Sequence, residues 1–228
     1  MNNDSSVLLQ DGLTNIKGAL FYYISELTYS TVYGIQTFMP ADFPLLVREY
    51  HDGIYPVICY YVAKVLSYLP IFTMDGMIMV TVSYFLIGLH AKIDTFLTTL
   101  LTCVLIEWST ASVGVMISSV SPTYAVAVSI SGPLLAVFSI TGGLYTNIKK
   151  IPAWIRWVQY FMYWICKFFD AFYLQPAEIC ENSGEMVMSN LNFDSDNMYF
   201  NLWMMAFYIV CVYTIGYIGL VIRVQLAR

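Results

Sequence analysis

The chain alternates between long apolar runs and short polar joints. From Trp108 to Ile148 no Asp, Glu, Lys or Arg occurs, a run of 41 residues. About 20 apolar residues make one bilayer-spanning helix, so this run is long enough for two. Ser118-Ser119-Val120-Ser121-Pro122 divides it, because proline does not continue the helix before it. The pattern predicts a helical hairpin, Thr95–Ser119 and Thr123–Tyr145, with Gly142-Gly143 as a helix-ending signal. Asn197–Ile222 is a second charge-free run, of 26 residues. Val65–Leu89 holds one charge, Asp75, and Gly18–Met39 holds one, Glu26. Five spanning helices follow.

The joints differ from one another. Residues 1–14 are polar and acidic and read as a loop, with neither the basic start nor the apolar run of a signal peptide. Residues 40–64 mix Arg48, Glu49, His51, Asp52 and Lys64 with aromatics, which suits a helix–loop at a membrane surface. Within 146–196, the segment Trp154–Leu174 lies between Pro152 and Pro176. Trp, Tyr and Phe crowd it around Arg156, Lys167 and Asp170, the composition of an interfacial or re-entrant helix.

Composition supports this reading. Of 228 residues, 59% are hydrophobic and only 11% charged, where a soluble domain has about a quarter charged. The fold class predicted is an all-α polytopic membrane bundle in a single domain, 1–228. Ten Lys and Arg against fifteen Asp and Glu give a net charge of −5 and no basic cluster, so nucleic-acid binding is excluded as a main role.

Catalytic signals are missing from the chain. No glycine is followed by lysine, so no P-loop is present. His51 and His90 lie far apart, no metal-ligand spacing occurs, and the five cysteines form no CxxC. Cys59, Cys103 and Cys211 fall in or near spans and suit packing. Cys166 and Cys180 lie in the aromatic segment and the loop after it, where disulfide and free thiol are both open.

Charge within a span is costly and marks a functional candidate. Tyr22, Glu26, Tyr29 and Tyr33 follow one helix face, a stripe of rings with one carboxylate suited to a cavity or a partner helix. Asp75 and Glu107 suit structural hydrogen bonding. Small residues cluster in the hairpin: Ser109, Ala111, Ser112 and Gly114, then Ala125, Ala127, Ser129, Ser131 and Gly132. They permit close helix–helix approach in lipid.

Several blocks in order then resemble a known family. They are Asn15-Ile16-Lys17-Gly18-Ala19-Leu20-Phe21, Phe43-Pro44, Arg48-Glu49, Gly53-Ile54-Tyr55, Tyr61, Lys64 and Leu69-Pro70. Gly142-Gly143-Leu144-Tyr145-Thr146-Asn147 and Ile151-Pro152-Ala153-Trp154-Ile155-Arg156-Trp157 follow. Together they resemble the G family of ABC transporters, the White/Scarlet/Brown-type half-transporters, from about Asn15 to Arg228. The resemblance implies an ABC-2 type exporter membrane domain without its first helix and without its ATP-binding domain. ATP and Mg would then be bound by a domain outside this chain. The implied partners are that ATP-binding domain, a second half-transporter in a homo- or heterodimer, and membrane lipid. Glu26 and Tyr29 match cavity-lining positions on the family's second helix, and Ala136 and Ser139 match positions on its fifth. Leu144 and Tyr145 match the outward apolar plug, Arg48 and Glu49 the coupling region, and Cys180 a loop that often bears disulfides.

The function implied is ATP-driven export of an amphipathic substrate, a lipid, sterol or pigment precursor, by alternating access. It would take place in a plasma or vesicle membrane. The alternative is a non-transporting subunit that dimerises with a full-length half-transporter and modulates it. Orientation rests on the resemblance, which sets the C-terminus in the cytosol. The count of Lys and Arg, four inside against six outside, runs the other way.

Overall fold

Apolar runs of this length satisfy their backbone polar groups in lipid only as helices or closed barrels. A computed structural model of the chain describes residues 3–87, 93–141 and 198–227. Every element among them is helical: α1 Asn3–His51, α2 Val57–Ile87, α3 Ile93–Val120, α4 Tyr124–Thr141 and α5 Met198–Leu226. Three stretches are long and apolar enough to cross a membrane, Val57–Ser83, Leu100–Val120 and Met205–Leu226, and Tyr124–Val137 is a shorter apolar helix.

Two expectations are corrected. The polar residues 3–14 are not a loop, because α1 runs back through them to Asn3. Nor does the helix stop before Pro40. It passes through Pro40 and Pro44 and ends at His51, 49 residues in all. Each proline lacks one backbone donor, so the helix forgoes its bonds to the carbonyls of Gln36 and Pro40. Packing compensates, since Met39 and Leu46 on the same stretch are buried in the core. The polar stretch 40–64 is therefore the end of α1, a turn, and the start of α2. Lys64, on α2, reaches back to Asp42 on α1, Nζ to Oδ2 2.6 Å.

The turn between α1 and α2 follows from Gly53. Its φ of 71° is left-handed, the conformation glycine adopts without strain. The Gly53 amide donates to the Tyr50 carbonyl and the Ile54 amide to the Glu49 carbonyl, which closes the helix end as a Schellman motif.

Helix α3 forms the centre, packed against α1, α2 and α5, with a lighter contact to α4. Ile35, Met39 and Leu46 of α1, Tyr61, Tyr68 and Phe72 of α2, Ala111 and Val115 of α3, and Leu220 and Val224 of α5 make one buried cluster. Val113 and Ile117 of α3 with Ala127 of α4 and Val212 of α5 make another. Small residues bring the helices close: a Cβ on Gly114 would lie 3.4 Å from the Val32 Cα. On the outer side of α2, Ile58, Val62, Leu66, Ile71, Met74, Ile78, Val82 and Phe85 are all exposed. That continuous apolar face suits acyl chains, not water.

Candidate functional site

Tyr22, Glu26, Tyr29 and Tyr33 all lie on α1. Tyr29 and Tyr33 stack with ring centroids 6.0 Å apart and planes 17° from parallel. Both are half-buried, while Tyr22 and Glu26 are exposed. The lower end of the stripe meets α4. A Cβ on Gly132 would lie 3.9 Å from the Tyr33 hydroxyl, and the buried Ser131 hydroxyl donates to Gln36 Oε1 at 3.1 Å. These two contacts join α4 to α1 at Tyr33 and Gln36. Ala136 is exposed one turn further along α4, and Ser139 lies near the end of that helix. Leu144, Tyr145, Cys166 and Cys180 lie outside the described residues.

Arg48 and Glu49 sit at the end of α1. Arg48 is exposed, and Glu49 accepts a hydrogen bond from the Tyr55 hydroxyl across the turn. That bond, with some burial and the charge of Glu49, pushes the Tyr55 hydroxyl up to about 12. The Lys64–Asp42 ion pair lies two turns further along α2. The end of α1 is thus fastened once to the turn, through Tyr55, and once to α2, through Lys64.

One residue of this end escapes sequence reading. Arg223, near the end of α5, donates through Nη1 to the carbonyls of Ser118 (3.5 Å) and Ser119 (3.3 Å), and through Nη2 to Pro122 (3.4 Å). The first two carbonyls lie in the last turn of α3, where a cation is favoured, and the third in the turn that follows it. The guanidinium also lies 3.4 Å from the centre of the Phe43 ring of α1. One side chain therefore joins α5, the α3–α4 turn and α1. The only sequence signal for it is a lone arginine closing an apolar run.

Glu107 is fully buried against Gly76 of α2, whose amide is the one backbone donor acting on its carboxyl, and neither oxygen has a well-formed hydrogen bond among the described residues. Asp75, by contrast, is exposed on α2.

Residues 4–169 match the family described as ABC-2 type transporter. The chain is 35% identical over 224 residues to "ABC transporter ATP-binding protein/permease wht-3" of Caenorhabditis elegans, covering 95% of this chain and 36% of that protein. It is 27% identical to "Protein white" of Ceratitis capitata, covering 96% of this chain and 34% of that protein. It is 28% identical to "Protein scarlet" of Drosophila melanogaster, covering 91% and 33%. The chain spans about a third of the length of these relatives. A match that runs through α1 to α4, alignments that also take in α5, and an all-helical bundle centred on α3 leave one assignment: the chain belongs to the ABC-2 type transporter family, as a membrane domain of a G-family ABC transporter.

Proposed function

We propose that this membrane domain moves an amphipathic substrate, such as a lipid, a sterol or a pigment precursor, outward by alternating access. ATP hydrolysis is supplied by an ABC ATP-binding domain beyond these residues, and the domain works as a homo- or heterodimer of half-transporters. The observation that carries the reading is the contact of α1 with α4 at Gln36–Ser131 and Tyr33–Gly132, beside the stacked rings of Tyr29 and Tyr33. Tyr22, Glu26, Tyr29 and Tyr33 then face the substrate from one helix, and Ala136 and Ser139 from the other. Rings with one carboxylate favour a substrate with an apolar body and a hydroxyl or weakly cationic group. Leu144 and Tyr145 close the outward path. Arg48 and Glu49 receive the movement of the ATP-binding domain. That movement shifts transport only if the substrate binds the inward and outward states unequally.

The experiment is efflux and substrate-stimulated ATPase from proteoliposomes holding the transporter that contains this domain and its ATP-binding domain. The probes are a fluorescent sterol and a cationic dye. Tyr29→Ala lowers stimulation by both, and Glu26→Gln lowers it for the dye more than for the sterol. Both variants behaving as wild type with both probes would sink the reading.

A further inference from the structure

The carboxyl of Glu107, within the apolar stretch Leu100–Val120, is used neither by the α1–α4 contacts nor by those at the end of α1. It is 0% exposed, on the most enclosed helix of the bundle. Neither oxygen has a side-chain partner or a well-formed hydrogen bond among the described residues, and the one backbone donor acting on the carboxyl is the Gly76 amide. Across from it α2 has a glycine: a Cβ on Gly76 would lie 2.8 Å from both Cδ and Oε2 of Glu107. The carboxyl fills the space that a side chain at 76 would need, so the two helices close over it there.

No described cation compensates it. On α2 the titratable group acting on Glu107 is Asp75, of the same sign. On α3 itself it is the buried thiol of Cys103, one turn earlier. The one charge on α1 between Gly18 and Ala41 is Glu26, which is exposed. The one charge on α5 is Arg223, engaged three turns further along with the carbonyls at the end of α3. Helix α4 has no charge. An uncompensated ion buried in this way costs several kcal/mol or more, in a bilayer especially. A carboxyl meets that cost by pairing or by taking up a proton. No cation among the described residues pairs with Glu107, and its one backbone donor, the Gly76 amide, is neutral and falls short of an ion partner.

We infer that Glu107 is a proton-binding site of the membrane domain, its carboxyl held as the neutral acid where α2 closes over it at Gly76. Releasing the proton requires α2 and α3 to separate at that level, because only then is the carboxylate solvated. The site is independent of which substrate the α1–α4 stripe takes.

Infrared difference spectroscopy on the full chain in lipid tests this directly. The wild-type spectrum at neutral pH contains the carbonyl stretch of a neutral carboxylic acid, shifted in heavy water, and Glu107→Gln loses it. Absence of that band in the wild type, or its persistence in Glu107→Gln, overturns the inference. Should Glu107→Gln not fold, dicyclohexylcarbodiimide on the wild-type chain decides. The carboxyl proton passes to one carbodiimide nitrogen, a carboxyl oxygen bonds the central carbon, and the acyl group shifts to nitrogen to leave an acylurea. Mass spectrometry then finds the adduct on the Glu107 peptide, and more of it at low pH than at high. Adducts confined to other acidic residues overturn the inference.

Discussion

Adding one methyl group at Gly216 tests the packing most sharply. A Cβ there would lie 2.8 Å from the Tyr61 hydroxyl and 3.1 Å from the Met116 Cα. The second distance is to backbone, so α3 and α5 must part to admit the methyl. The first displaces a buried hydroxyl that donates to the Tyr213 carbonyl at 2.7 Å. Overpacking of this kind costs about 1–3 kcal/mol, and loss of the Tyr61 bond adds about 0.5–1.5 kcal/mol. Alanine returns about 1 kcal/mol as the better helix former. The net cost for Gly216→Ala is about 2 kcal/mol. For a chain of this size that lowers the unfolding temperature by roughly 4–8 °C. Gly132→Ala is the control, because its nearest neighbour is the Tyr33 hydroxyl at 3.9 Å, an ordinary contact. It keeps the helix-propensity gain and melts at or above wild type. Gly219→Ala falls between, since it meets only a methyl of Val120 at 2.8 Å, on an exposed side chain able to turn away. The assay is thermal unfolding of the full chain in detergent, followed by monodispersity after heating. If Gly216→Ala melts no lower than wild type, or Gly132→Ala falls as far, the close approach of α3 and α5 is refuted.

Three further outcomes are expected. Gly53→Ala destabilises by about 1–2 kcal/mol through backbone conformation alone, since nothing lies within 4 Å of its Cβ position; Gly53→Asn costs less, and thermal unfolding separates the two. Arg223→Lys keeps the charge but loses the fork that reaches three carbonyls. Amide hydrogen exchange around the α3–α4 turn accelerates, and more so in Arg223→Gln; unchanged exchange in both counts against the clamp. Ser131→Ala leaves the buried Gln36 oxygen without its donor and costs about 0.5–1 kcal/mol, in the range of hydrogen bonds within membranes. In a double-mutant cycle with Gln36→Leu the costs are less than additive.

Much of the bundle was legible because charge is so costly in lipid. The charge-free runs located α3, α4 and α5, and the serine-proline joint located the turn between α3 and α4. The beginning of α2 was harder to see. Lys64 looks like a boundary in the sequence, but its ion pair with Asp42 lets the helix begin at Val57. The length of α1 was not legible, because local signals argue for a stop at Pro40 and only the burial of Met39 and Leu46 overrides them. At the site, the stacking of Tyr29 on Tyr33 follows from helical spacing alone. The α1–α4 contact does not, for Gln36 and Ser131 are far apart in sequence. Arg223 and Glu107 share that limit: one is defined by carbonyls about a hundred residues away, the other by its burial against Gly76 of a neighbouring helix.

The length of α1 has a mechanical consequence. At 1.5 Å per residue its 49 residues make a rod of roughly 70 Å. The hydrocarbon core of a bilayer is only about 30 Å thick. Such a rod extends well beyond the hydrocarbon. Its least-bonded section is where Pro40 and Pro44, one turn apart, leave two carbonyls without their usual donors. A bend there would change the angle between the Arg48 end and the Tyr29 end with no separate hinge loop.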